Sequence, residues 1–175
     1  MRIYDKEGNV LAISDPPDSR IFDNMVIHNA LLAGLELEGI SFDGSDLQGS
    51  DFTGADLYGS TLADSNFSSC IVVKADLRNS FIHNVSFCSA DLRGARFSLN
   101  ELGGRLFLHE VNFANANLDN VDFTGAIYDE RTVFPEGYIP EEHGLTSEAA
   151  AESYFHELEE WQKKGTGYFK RGRNG

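Results

Sequence analysis

From Phe22 onward a Leu or Phe returns at nearly every fifth position, and neither regular element tolerates that spacing. From Ser41 the sequence reads SFDGS-DLQGS-DFTGA-DLYGS. Phased on the large apolar residue as the centre of each five, the series runs from Phe22, Ile27, Leu32 and Leu37 to Phe97, Leu102 and Phe107. One extra residue near Glu110 then resets the phase, and the series resumes at Phe113, Leu118, Phe123 and Tyr128. Of these 22 centres, 18 are Leu or Phe, which fixes the centre as the inward position. At ~100° per residue an α-helix would scatter such residues around its whole circumference. A straight strand would send alternate centres to opposite faces.

The spacing closes only if the chain turns once per five residues. Two positions before most centres lies a small residue, as at Ala30, Ser45, Ser50, Ala55, Cys70, Ala75 and Ala90. It points the same way as the centre. Two positions after it Gly or Asn recurs, as at Asn24, Gly44, Gly59, Asn79 and Gly94, because both accept the positive φ of a corner. Repeated turning winds an all-β solenoid with the centres stacked inside.

Segments such as Ala55-Asp56-Leu57-Tyr58-Gly59 and Ala90-Asp91-Leu92-Arg93-Gly94 resemble the A-[D/N]-L-x-x motif of the pentapeptide repeat family. The resemblance covers about residues 20–130 and implies a right-handed quadrilateral β-helix with four pentapeptides per coil. Twenty-two pentapeptides then make about five and a half coils, roughly 25 Å tall at ~4.8 Å between paired neighbours.

The open ends of such a stack need caps. Residues 1–19, with Ile3, Tyr4, Val10, Leu11 and Ile13, read as an N-terminal cap, and residues 131–146 as an exit segment. Residues 147–164 are helix formers: Thr146 or Ser147 caps the start, and Lys163 and Lys164 complement the end before Gly165. Ala151, Tyr154, Phe155, Leu158 and Trp161 form one apolar stripe on that C-terminal α-helix. The stripe reads as a lid over the last coil. Alternatively it makes a homodimer, as quinolone-resistance members of the resembled family do through their C-terminal ends. Residues 165–175 form a basic tail; Lys163, Lys164, Lys170, Arg171 and Arg173 follow Gln162 with no acid, leaving −19 on residues 1–162. A solvated end is the plainer expectation for the tail, docking on the acidic body or a partner the sharper one.

Outward positions twenty apart should stack. That places Asp76 beside Arg96 and Tyr58 over Arg78, and leaves Ile71, Val73, Phe81, Leu106 and Leu108 as outward apolar residues, either covered by a terminal segment, incidental, or a partner patch.

Little in the sequence points to catalysis or cofactor binding. His28, His83, His109, His143 and His156 lack metal-ligand spacing, and the expected stacking puts none of the solenoid three beside another. Ser is abundant but sits at repeat positions; Cys70 falls inward, and Cys88 has no activating base nearby. A packed Leu/Phe interior leaves no substrate cavity. The expectation is a non-catalytic protein with no cofactor or metal. Net charge −14 excludes a phosphate-binding surface of clustered Lys and Arg. No run of ~18 apolar residues is present to span a membrane, and two cysteines make no disulfide framework, so a reducing cytoplasm is the expected location.

What remains is negative charge. Between residues 36 and 64 stand seven acids and no base: Glu36, Glu38, Asp43, Asp46, Asp51, Asp56 and Asp64. Asp before a centre either suits that edge and keeps the rod soluble, or presents a partner face imitating the phosphates of duplex DNA. The family resemblance supplies a candidate partner, a type II topoisomerase, since some members inhibit gyrase or protect it from drugs. Such members often carry loop insertions between coils, against the single extra residue near Glu110, and Lys74, Arg78, Arg93, Arg96 and Arg105 interrupt the negative surface further on. The reading is a protein-protein interaction module, with the DNA mimic as its alternative.

Overall fold

The computed structural model describes residues 1–14, 19–98, 105–153 and 156. From Ile21 to Arg96 the backbone pairs in parallel with itself at a constant offset of twenty, as in Ile21↔Ser41, Val26↔Asp46, Leu31↔Asp51 and Glu36↔Asp56. Five residues per side and twenty per coil make a four-sided stack. Its first side carries the centres Phe22, Phe42, Leu62 and Ile82. The second runs from Ile27 to Phe87, the third from Leu32 to Leu92, and the fourth from Leu37 to Phe97.

Four backbone hydrogen bonds per side hold the shape, one of them from the corner residue to the next coil, as Gly44 N–H donates to Ala63 O at 2.8 Å. The centre's N–H donates forward to the next coil, as Phe42 does to Thr61 O at 2.9 Å. The residue before a centre donates backward, as Asp46 does to Met25 O at 2.8 Å. The small inward residue closes the corner, Ser45 donating to Phe42 O at 3.0 Å. Every fifth residue from Asn24 to Gly94 has positive φ, and Glu110, Asn115, Asn120 and Gly125 continue the set. Gly and Asn hold most corners, yet Asp64, Ser69, Lys74, Ser89 and Glu110 adopt the same conformation; the ladder overrides local preference there.

The interior is filled. Phe22, Phe42, Phe52, Phe67, Phe87, Phe97, Phe113 and Phe123 are all fully buried, and successive rings lie 5.0–6.2 Å apart. The small slots are buried as well. Four of their serines carry bonds between coils, Ser45 donating to Phe22 O, Ser50 to Ile27 O, Ser60 to Ser80 Oγ and Ser80 to Leu57 O. Cys70 Sγ does likewise to Leu47 O at 3.1 Å.

The phase expected beyond Phe97 needs correction. Ile82 pairs with Leu108 and Ser86 with Asn112, an offset of 26 rather than twenty. Six residues, not one, are therefore inserted in this coil. Leu106 and Leu108 are buried while Phe107 is 47% exposed. Phe107 is no centre, and Leu106 and Leu108 are not outward residues. Leu102 lies outside the described residues. With Leu108 as centre, Phe113, Leu118 and Phe123 complete the fifth coil.

On the first side this region forms a four-stranded parallel sheet: β3 (Ile82–His83), β4 (Phe107–His109), β5 (Ile127–Tyr128) and β6 (Thr146–Ser147). Numbering follows β1 (Arg2–Tyr4) and β2 (Val10–Ile13), an antiparallel hairpin at the N-terminal end. That hairpin buries Ile3 and joins the first coil where Leu31 N–H donates to Tyr4 O at 2.8 Å. At the far end the ladder continues past Tyr128: Val133 pairs with Asn112, and Phe134 stacks on Phe113 at 5.7 Å. A 3-10 turn, Pro140–His143, then leads into β6. Residues 148–153 are helical, and Ser147 Oγ accepts from Ala150 N–H at 3.4 Å as its cap. Residues 154, 155 and 157–164 of the expected helix lie outside the described residues.

The corner conformation gives two opposed expectations. Gly49→Ala places a Cβ 2.7 Å from Asn29 Oδ1 at φ +73° and should destabilise by about 1–2 kcal/mol. Lys74→Gly, at φ 58°, should stabilise by about 1 kcal/mol. Chemical unfolding of both variants checks the pair.

Candidate functional site

The acids of residues 36–64 do not share one side. Asp46 lies on the second, Asp51 on the third, Glu36, Glu38 and Asp56 on the fourth, and Asp43 and Asp64 on the first. Glu36 and Asp56 are paired neighbours in adjacent coils, and Asp43 lies near Asp23 and Asp64. The set winds around the stack.

Three of them have a local task. Each Asp before a centre accepts the N–H two residues on through its own Oδ1: Asp46 from Gln48 at 3.2 Å, Asp51 from Thr53 at 2.9 Å and Asp56 from Tyr58 at 3.0 Å. Asp76 and Asp122 repeat the contact, and Asn66, Asn112 and Asn117 make it without charge. This Asx turn explains the residue type at the edge with no partner required. Asp46 also meets His28 Nε2 at 2.8 Å. Partial burial works to raise its carboxyl, but the bonds from His28, Gln48 and Asn66 bring it below the ordinary value. The stacked pairs expected on the fourth side are present, with Arg96 Nη1 3.1 Å from Asp76 Oδ2 and Arg78 5.8 Å from the Tyr58 ring centre.

The structure assembles a different cluster on the first side. The six-residue insertion sets His109 directly against His83 in the β3–β4 register, which corrects the expectation that no two solenoid histidines meet. Phe81 and Phe107 fall on neighbouring strands of the same column, 59% and 47% exposed. Together with Asn79, Ser80, Ile82 and Arg105 they line an open hollow of about 430 Å³. His83 Nε2 lies 3.7 Å from Glu110 Oε1, and His109 Nε2 lies 3.4 Å from Glu148 Oε1. Arg131 bridges Glu110 at 2.6 Å and Asp129 at 3.1 Å.

Asp129 anchors this corner. It is 5% exposed and accepts from Glu110 N–H at 3.0 Å, Thr132 Oγ1 at 2.7 Å and Arg131 Nε at 3.1 Å. Burial acts to raise its carboxyl, but these donors outweigh burial and bring it down to about 2.

Sequence reasoning missed this site for one reason. Counting forward from Phe97 passes through Leu102 to Phe107, whereas counting back five from Phe113 lands on Leu108. The second count was available in the sequence and gives the observed phase. Of the expected apolar patch, Ile71 and Phe81 are exposed and Val73 half-buried. Of the helix stripe, Ala151 is buried, and Tyr154, Phe155, Leu158 and Trp161 lie outside the described residues.

Other chemistry is sparse. Among the described residues no His/Cys/Asp/Glu group is arranged to hold a metal ion, and no helix is long and apolar enough to cross a membrane. Burial pushes the Cys70 thiol up to about 12, which keeps it unreactive.

Residues 27–64, 61–98 and 106–127 match the pentapeptide repeats, in eight copies. The chain belongs to the pentapeptide repeat family, and its four-sided coil is that family's right-handed quadrilateral β-helix. Among solved structures it is similar to the pentapeptide repeat protein Rfr23 of the cyanobacterium Cyanothece 51142, at 15% identity over 66% of this chain and 91% of that one, TM-score 0.46. It is similar also to alr5209, a pentapeptide repeat protein of Nostoc PCC 7120, at 26% identity over 74% and 86%, TM-score 0.42. A trypsin-treated variant of QnrB1, a plasmid-mediated fluoroquinolone resistance protein, matches at 15% identity over 79% and 69%, TM-score 0.36. No curated protein matches the chain.

Two outcomes follow from these contacts. Asp51→Ala should cost about 1 kcal/mol, whereas Asp51→Asn should be nearly neutral; urea unfolding separates them. The Asp129 carboxyl lies below its ordinary 3.8 in the folded chain, so its contribution is present above that value and fades as pH falls from there towards 2. Asp129→Asn should remove that component, seen as a shallower loss of stability across this acid range.

Proposed function

We propose that the chain is a non-catalytic interaction module that engages a protein partner through its first side. The observation that carries this reading is the Phe81–Phe107 pair. In the same outward column the earlier coils place Ile21, Ser41 and Thr61, so the phenyl groups adjoin each other only at Phe81 and Phe107, and the residue that follows, Ile127, is 2% exposed. Two exposed phenyl groups on neighbouring strands, flanked by two histidines paired in the β3–β4 register, form a built apolar patch rather than scattered surface residues. A core filled by phenyl rings and seryl hydroxyls bonded between coils support a binding role over a catalytic one.

Quantitative affinity capture tests the reading. A partner enriched by the wild-type chain should be lost with Phe81→Ser/Phe107→Ser at unchanged thermal stability. An identical set of captured proteins with both chains would refute the first side as the contact surface.

A second reading has one observation in its favour. The offset of 26 shows a six-residue insertion between coils, the feature that gyrase-active members of the family carry. On this reading the acidic body stands in for duplex DNA at a type II topoisomerase. A supercoiling assay with and without a quinolone tests it, using Asp46→Asn/Asp51→Asn/Asp56→Asn because these keep the Asx turns while removing three charges. The mimic predicts inhibition or drug protection by the wild type, weakened by the triple variant and by salt. No effect of the wild-type chain at micromolar concentration would exclude it.

A further inference from the structure

The third side of the stack stops one coil before its neighbours. In every earlier coil its centre and its corner donate forward, as Leu92 N–H does to Asn117 O at 2.9 Å and Gly94 N–H to Asp119 O at 3.0 Å. Its small residue accepts in return, as Ala90 O does from Asn117 N–H at 2.9 Å. In the fifth coil the equivalent groups are Leu118 N–H, Asn120 N–H and Ala116 O. Among the described residues none of the three has a hydrogen-bond partner. The chain passes this position without filling it. Phe134 continues the second side over Phe113, and Gly144 O accepts from Gly125 N–H at 3.0 Å on the fourth. Residues 135–143 connect the two through the turn Pro140–His143 and make no backbone hydrogen bond to residues 115–120.

An open hollow of about 590 Å³ lies between these stretches, lined by Asn117, Leu118, Asp119, Glu136, Tyr138 and His143 among others. Leu118 is 7% exposed, against 0% for Leu32 and Leu92 in the same column. The Tyr138 hydroxyl is shielded from solvent and lacks a hydrogen-bond partner, a rare state for a buried polar group. Charge here is negative. Neither Asp119 nor Glu136 is in an ion pair among the described residues. Arg93, the outward neighbour of Asp119 in the coil before, is held by Asp91 at 2.6 Å.

We propose that this hollow is a strand-addition site for an extended, basic segment of a partner protein. An open ladder edge is a template for such pairing, and the two carboxylates set the charge of what pairs. The segment runs parallel to residues 116–120 and takes the register that the third side already has. Its first residue donates to Ala116 O and accepts from Leu118 N–H. Its third residue accepts from Asn120 N–H and stacks outward on Asp119, where Lys or Arg meets the carboxylate. The residue between them points inward over Leu118 and is apolar. This site is separate from the phenyl patch of the first side, so either reading can fail alone.

Amide NMR of the full-length protein tests the proposal. In the free chain the Leu118 and Asn120 amides should exchange with solvent about tenfold faster than Leu92 and Gly94, or more. The probes are acetylated, amidated pentapeptides Gly-Ser-Z-Lys-Gly, with Z each of Ala, Val, Leu and Phe. At least one should shift both amide signals and slow their exchange. Its Kd should rise about fivefold with Asp119→Asn/Glu136→Gln, two exposed positions outside the core, and again with Glu in place of the peptide's Lys. Slow exchange of both amides in the free chain would overturn the proposal, since the edge would already be paired. If that protection is lost on dilution, the occupant is a second copy and the proposal fails equally. Peptides that leave both amides unmoved at millimolar concentration, or that bind alike with Lys or Glu, would also overturn it.

Discussion

The hydrogen bonds between successive coils are the constraint on which everything else in this molecule depends. Their offset of twenty makes every side chain of one coil the neighbour of its counterpart in the next. It stacks the phenyl rings and forces a positive φ on every fifth residue, Lys74 and Glu110 included. It also decides what meets on the surface. Arg96 reaches Asp76 because they are twenty apart, and His109 meets His83 because one coil is six residues longer.

The same constraint separates charge that serves the fold from charge available for recognition. Asp46, Asp51 and Asp56 spend one carboxylate oxygen each on the corner that follows, and Asn66, Asn112 and Asn117 do the same uncharged. Their abundance is a property of the turn, and their distribution over three sides follows from the five-residue period. Asp23, Asp43 and Asp64 differ, because they share a side, where burial first and then the charges of Asp23 and Asp64 raise the Asp43 carboxyl. The first side thus gathers exposed phenyl groups, two histidines paired in register and neighbouring acids, while a buried carboxylate at Asp129 pins the turn beside them.

Much of the fold was legible because a five-residue period has one physical solution. The inward centres up to Phe97, the small inward slots and the corners at Asn24 or Gly94 follow from it directly. The site was legible only in part. Phe81 could be read as outward, but its neighbour could not, because Leu106-Phe107-Leu108 is apolar at three successive positions. Periodicity cannot choose among them without the phase of the following coil, and the pairing of Ile82 with Leu108 makes that choice. The electrostatics of the corner depended on the same phase, since Glu110, Asp129 and Arg131 converge only when His109 stands over His83.

The exposed phenyl surface and the His83–His109 pairing stand on the phase of that one coil, and two substitutions test it most directly. Leu108→Ala removes a fully buried centre and should cost about 2–5 kcal/mol. Phe107→Ala trims a half-exposed side chain outside the core and should cost no more than about 1 kcal/mol. Unfolding free energies from urea titration of the two variants give the answer. A large loss at Phe107 with little at Leu108 would contradict the register, and with it the His83–His109 pairing and the exposed phenyl surface.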